Sequence, residues 1–243
     1  MKVIGAIIFL SFLGFALALP GHRKNLLART NADWLVDLSS AFTHFFIAPL
    51  LQVTFTYGVF RYFFPELQGA VSGSLAISLG LYAIVDYAWY WNHRLFHGDP
   101  FFWKLHRAHH SPKVVDVLST SRNPFITHFF RVYLWLVGLF VYLLADPGYF
   151  LWVSVFGSAI IFWGHTPFCL PADSQIEKMI SRLLVTPRQH LWHHSRGNPN
   201  CNFGSVFSLW DRIHGTLFQS DGLPLAYGES VNLPILKQLL WPF

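Results

Sequence analysis

Five apolar runs, at residues 3–19, 45–60, 71–91, 129–144 and 149–163, leave this chain little choice of solvent. A helix that crosses the hydrocarbon of a bilayer takes about 17–25 such residues, and these runs reach or approach that length. A chain in lipid must satisfy its backbone within the segment, so runs of this kind fold as helices. Asp146-Pro147-Gly148 separates the last two by a tight turn and makes them a helical hairpin. The second run has an earlier start available at Trp34, in WLVDLSSAFTHFF, where Asp37, Ser39, Ser40 and His44 blur the boundary. Composition agrees: 12% of residues are charged and 18% aromatic, against about a quarter charged in a soluble domain. The expected fold is all-α, a polytopic membrane helical bundle of four or five spans, in a single domain over residues 1–243.

The fifth span depends on the N-terminus. Lys2, an apolar stretch and then ALALPG read as a signal peptide. GHRKNLLAR follows at once, and its basic residues resist translocation, which favours an uncleaved anchor. Of the 17 Lys and Arg, 3 lie in residues 21–31, 6 in residues 93–131 and 6 after residue 165. By the positive-inside rule these segments face the cytoplasm. The net charge of +5 is therefore a topology signal and an attraction to anionic headgroups, with no basic run suited to nucleic acid. Cys169 and Cys201 form no Cys-x-x-Cys, which argues against a disulfide scaffold or a cysteine-built iron–sulfur site.

Thirteen histidines are present, and nine of them bunch at the cytoplasmic boundary. His93 and His97, in DYAWYWNHRLFH, are four apart and share a helical face if the third span continues past the membrane. His106, His109 and His110 in HRAHHS have the spacing of His190, His193 and His194 in HLWHHS, and His165 ends the fifth run. The flanks of the two copies differ, so one geometric demand is met twice without an internal repeat. Each copy, if helical, offers three imidazoles on one stripe. Nine ligands are too many for one metal and suit two, each with four or five nitrogens. An all-imidazole shell points away from magnesium and calcium, and the spacing leaves iron and zinc open. Asp86 and Tyr90 continue the stripe of His93 and His97. Asp86 is read either as orienting a ligand histidine through a hydrogen bond or as a helix–helix hydrogen bond. His22 falls in the basic juxtamembrane loop, and His44 and His128 are assigned interfacial or buried hydrogen-bonded roles.

These motifs, in this order from about Asp86 to Phe218, resemble the fatty acid hydroxylase/sterol desaturase superfamily. NFGSVFSLWDRIHGTLF is similar to that family's Asn-Tyr-Gly and Trp-Asp-Arg-x-x-Gly-Thr ending. The resemblance covers residues 86–218 and implies an integral membrane helical enzyme with a cytoplasmic histidine-rich cap. It further implies a metal pair, usually taken as two iron ions, that oxidises lipid carbon–hydrogen bonds with dioxygen. It assigns His93 and His97 to the first motif, His106, His109 and His110 to the second, and His190, His193 and His194 to the third, with His165 between. Three positions depart from the pattern: Asn123 precedes Pro124 where a His is frequent, Phe203 replaces Tyr, and His214 stands where an apolar residue is common. His214 is thereby raised as an additional ligand.

The expected activity is hydroxylation or desaturation of an apolar lipid (sterol, fatty acyl or related). With no haem module, flavin fingerprint or ferredoxin-like cysteine set visible, a separate electron-donor protein is the expected partner. Three rivals remain. A zinc-dependent membrane hydrolase lacks its His-Glu-x-x-His signature, and Asp99 sits in a Gly-Asp-Pro turn that reads as structural. A haem or metal carrier would place histidines across facing spans. A lipid-binding relative without oxygenase activity would have no need of nine ligand candidates.

Overall fold

The computed structural model describes residues 2–197 and 200–243. Its principal helices are α1 (Lys2–Ala18), α2 (Asn31–Phe63), α3 (Leu75–Gly98), α4 (Pro100–His106), α5 (Val132–Leu143), α6 (Gly148–Gly164), α7 (Pro187–His193) and α8 (Leu209–Ile213). Among the described residues the remaining regular structure is short helical segments and three isolated β-bridges, so the fold is all-α.

Helix α3 is the axis. Ser74 starts it by accepting from the Ile77 N–H, and the helix packs against α4, α5 and α6. Helix α1 lies against α6, α2 against α5, and α7 against α6. The α3–α6 approach is close because Gly157 lacks a side chain: a Cβ there would collide with the Tyr82 hydroxyl. Tyr82, Val85, Phe140, Leu144, Phe150 and Val206 form the core between these helices.

Of the four or five spans expected, one is supported by the length and apolarity of its helix. Among the described residues one helix, Asn31–Phe63 with 33 residues, is long and apolar enough to cross a membrane. Helix α2 thus takes the earlier start and runs through the Asp37 region. Helices α1 and α6 have 17 residues each and α5 has 12. At 1.5 Å per residue, the 12 residues of α5 cover roughly 18 Å of an ~30 Å hydrocarbon layer. The α3 run carries Asp86, Asn92, His93 and Arg94 within its helical continuation, which dilutes its apolarity.

Within α2, Pro49 removes a helical donor, and the backbone widens to π turns at Thr43–Ile47 and Gln52–Thr56 on either side. Its N-terminal part is held by charge. Asp37, fully buried, receives Arg29 Nε at 3.0 Å and Arg122 Nε at 2.5 Å. Arg29 also grips Asp116 with both terminal nitrogens, and Arg122 reaches Asp33. A carboxylate can be buried at this depth only when paired, and these pairs tie α2 to the loop that follows the HRAHHS motif.

Apolar side chains stand outward on the long helices. Leu35, Leu38, Phe42, Phe46, Leu50 and Val53 make a helical stripe along α2, and Tyr149, Trp152 and Phe156 one along α6. Such contiguous apolar surface marks contact with lipid or another protein.

Candidate metal centre

The chain turns sharply where α3 ends. Asp99 accepts from the N–H groups of Phe101 and Phe102, and Pro100 starts the next helix with φ already set. This cap folds α4 back along the end of α3, so His106 faces His93 and His97. The turn after α4 delivers His109 and His110, each amide bonded three residues back. His165 caps the C-terminus of α6. Helix α7 opens with Pro187, with Gln189 accepting from the Thr186 N–H, and carries His190 and His193, with His194 as its C-cap.

The structure brings all nine histidines into two abutting groups. His93, His97, His106, His110 and His193 form one, and His109, His165, His190 and His194 the other. Within each group the ligand atoms lie within 4.8 Å of one another. In the group of four, the Nε2 atoms of His165, His190 and His194 follow one another at 3.1 Å, and His109 Nε2 lies 3.3 Å from that of His165. Two nitrogens bound to one tetrahedral ion at ~2.0–2.1 Å sit roughly 3.3 Å apart.

Each His-x-x-His-His copy divides between the groups. The outer pair, His106 and His110, joins His93 and His97, while His109 crosses to the other side. In the second copy His190 and His194 remain with His165, and His193 crosses over. On α7 residues four apart differ by about 40° in direction and adjacent residues by about 100°, so His193 points to a different centre from His190 and His194. This corrects the expectation that one helix presents all three imidazoles on one stripe: α4 ends at His106, and His109 and His110 lie in the turn beyond it.

Backbone carbonyls set the ring tautomers. His93 Nδ1 donates to Phe203 O at 2.8 Å, His193 Nδ1 to Cys201 O at 2.8 Å and His165 Nδ1 to Ile161 O at 2.9 Å. A carbonyl can only accept, so each Nδ1 carries the proton and each Nε2 keeps its lone pair for the interior. Among the described residues, His97 Nδ1 and Nε2, His110 Nε2 and His193 Nε2 are buried without a hydrogen-bond partner. Desolvation pushes His193 and His165 down to about 4 and lowers the other seven as well, which holds the rings neutral. Neutral, inward-facing and partnerless imidazole nitrogens fit metal ions, and imidazole suits iron, zinc, copper and nickel.

Asp86 does not touch a histidine. Its carboxylate accepts from the Val206 and Phe207 N–H groups and from Trp210 Nε1, so of the two readings the structure has the helix–helix hydrogen bond, from Trp210 of α8 to Asp86 of α3, together with an anchor on the 203–210 loop. Tyr90 lies beside it, its hydroxyl 2.9 Å from Thr216 Oγ1. Asp211 holds the same loop by accepting from the Phe203 and Gly204 N–H groups, each at 2.7 Å. A Cβ on Gly204 would meet the Phe207 carbonyl and the Asp211 carboxylate. The Asn-Phe-Gly and Trp-Asp-Arg stretches thus strap down the loop that presents the Phe203 and Cys201 carbonyls. The spacing of NFG and WDR gives no hint of those carbonyls, which carry no side-chain signature. His214 pairs with the Tyr87 hydroxyl at 3.2 Å, outside both groups. Asn123 is buried with its amide unpartnered and also lies outside them.

A cavity of ≈ 290 Å³ opens beside the histidines, lined by His93 and His106 of one group and His109, His165 and His190 of the other. Leu134, Val137, Ile161 and Phe162 supply apolar wall, and His44, His128 and Arg131 also face it. The hydrogen-bonded or interfacial roles expected of His44 and His128 did not anticipate a shared cavity.

An all-helical chain with exposed apolar stripes and two buried imidazole groups beside an apolar-walled cavity defines a histidine-rich, metal-binding class of lipid-facing protein. Residues 78–216 match the family described as fatty acid hydroxylase, and the chain belongs to that family. It is 34% identical over 173 residues to the ornithine lipid hydroxylase OlsE of Rhizobium tropici, covering 69% of this chain and 50% of that protein. It is 31% identical over 173 residues to the alkylglycerol monooxygenase of Danio rerio, covering 65% of this chain and 36% of that one. It is 28% identical over 184 residues to the fatty acid hydroxylase vlmA of Lecanicillium sp, covering 67% of this chain and 50% of that one. The matches therefore span half or less of these relatives' own length. No solved structure matches the chain.

Proposed function

We propose that this chain is an integral membrane di-iron oxygenase that hydroxylates or desaturates a lipid, with its histidine groups on the cytoplasmic side. The observation that carries the reading is the pair of imidazole groups, five and four, on the wall of one cavity with apolar surface. The names of the relatives, lipid hydroxylases and monooxygenases, support the same class. For hydroxylation the balance is a lipid C–H, dioxygen, two electrons and two protons giving a C–OH and water. A metal pair held by His93, His97, His106, His110 and His193 on one side and His109, His165, His190 and His194 on the other would supply the dioxygen chemistry. The chain supplies position and dryness. The carbonyls of Phe203, Cys201 and Ile161 fix ring orientation, the Phe203 ring packs 5.4 Å from His97, and Leu134, Val137 and Ile161 keep water from the substrate's carbons. Electrons come from a separate protein, steered to the histidine face by the basic residues concentrated there.

The test is lipid analysis of cells with and without the protein, paired with metal analysis after anaerobic purification. A product heavier by one oxygen with two irons per chain supports hydroxylation, and a product lacking two hydrogens supports desaturation. Unchanged lipid oxidation by purified protein stripped of all metal sinks the reading.

A further inference from the structure

The cavity holds a cation, Arg131, for which the described residues supply no hydrogen-bond acceptor or carboxylate partner. Arg131 stands on its wall at the start of α5, next to His128 and opposite His44 of α2. Among the described residues no side-chain or backbone acceptor takes a hydrogen bond from the guanidinium, and Nε is buried without a partner. The ion pairs among the described residues are made by Arg29 and Arg122, and none of them includes Arg131. What Arg131 does contact is the face of Trp89, with Cζ 5.3 Å from the ring centroid. His128 Nε2 is likewise buried and unpartnered.

A guanidinium facing an apolar-walled space without an acceptor is costly, whereas its planar fork matches a carboxylate or phosphate in two parallel hydrogen bonds. The position relative to the metal centre is close: the Trp89 ring that carries Arg131 also stacks on His93, with centroids 5.3 Å apart. Beyond Arg131 the wall turns apolar at Leu134 and Val137, one and two turns further along α5. At ≈ 290 Å³ the cavity is near the lower end of the ~300–1,000 Å³ range of ligand sites. That is room for a head and the first part of a chain and too little for a whole lipid.

We propose that Arg131, with His128 beside it, docks the oxyanionic head, carboxylate or phosphate ester, of the lipid, which sets the head-proximal carbons against the histidine groups. This names the substrate class of the oxygenase reading and rests on it. The neutral alkyl chain follows Leu134 and Val137 and leaves between helices toward the lipid.

Binding without turnover tests the inference. Full-length, metal-loaded protein in nonionic micelles is titrated with hexadecanoate, hexadecyl phosphate and hexadecanol, and with acetate and inorganic phosphate as chainless anions. At least one anionic amphiphile binds about tenfold or more tighter than hexadecanol. That preference collapses to about twofold or less in Arg131→Gln, and Arg131→Lys, which keeps the charge and loses the fork, retains part of it. Melting temperature and metal content measured on both variants establish that the site is intact, and if Arg131→Gln does not fold, the wild-type and Arg131→Lys comparisons decide. Equal binding of anion and alcohol by the wild type, or a preference surviving Arg131→Gln, overturns the proposal. Acetate or inorganic phosphate binding as tightly as the amphiphiles makes this a small-anion site and overturns it too. An anion preference in protein that oxidises no lipid leaves the docking site standing and removes the oxygenase reading alone.

Discussion

The crossing-over of His109 and His193 couples the two groups at the level of single residues. Each His-x-x-His-His copy contributes to both groups, so neither centre can be completed by one segment of chain. His193→Ala removes an imidazole from the group of five and His109→Ala one from the group of four. Each is expected to lower metal content by about one ion per chain or more, because ligand loss also loosens the shared turn. His22, outside both groups, serves as the control, and His22→Ala keeps full metal. Metal analysis of the three purified variants decides, and full loading of either of the first two refutes the ligand assignment. The polar residues of the sequence divide by the same criterion. Asp86 and Asp211 hold the loop that carries the carbonyls, Tyr90 bonds Thr216 beside it, and the histidines make up the two groups.

At the scale of elements, the site depends on how closely α3 and α6 approach, because α3 ends in His93 and His97 and α6 ends in His165. Gly157 permits that approach against Tyr82. Gly157→Ala forces the helices apart and is expected to cost on the order of 1–3 kcal/mol. Gly80, also on α3 but with nothing within 4 Å of its Cβ position, is the contrasting case. Gly80→Ala is expected to be neutral or stabilising by roughly 0.5–1 kcal/mol. Thermal unfolding of the two variants in the same detergent separates the effects, and equal melting temperatures contradict the close-packing argument. The π turns of α2 act at the same scale, since His44 and Gln52 reach the cavity from the widened stretches.

Over the whole molecule, outward apolar stripes on α2 and α6 and the charge-locked start of α2 describe a body partly immersed in lipid. With Asp37, Arg29, Arg122 and Asp116 neutralising one another at the base of α2, the stripe from Leu38 to Val53 carries no charged residue. The protein is therefore expected to stay in the membrane pellet after alkaline carbonate washing and to need detergent for release. Replacing Phe42, Phe46 and Leu50 together by Gln cuts into the α2 stripe and is expected to move a substantial fraction, on the order of half, to the soluble fraction or to aggregates. Fractionation followed by immunoblotting measures it, and unchanged pelleting in both tests means that other surfaces hold the protein in place.

Much of this molecule could be read along the chain. Apolar runs with almost no charge demand helices, whatever they pack against, because a backbone away from water must bond to itself. The recurrence of histidines three and four apart marked eight of the nine residues that the fold gathers, and the end of the fifth apolar run marked His165. The Gly-Asp-Pro break after His97 announced a turn, and a turn with a capped helix behind it is what the structure has there. The end of α5 was legible as well, since it stops at Leu143 just before Asp146-Pro147-Gly148, but its start was not: the extended backbone at Arg131 breaks the apolar run 129–144 and leaves a helix of 12 residues. Three decisions belonged to the tertiary structure alone. Which histidine joins which group depends on the relative rotation of α3, α4 and α7, and neighbours in sequence point about 100° apart on a helix. The tautomer of His93 depends on the Phe203 carbonyl, a backbone group 110 residues away with no trace in residue type. The isolation of Arg131 depends on which side chains fail to reach it, and an arginine looks the same in sequence whether a carboxylate faces it or a cavity does.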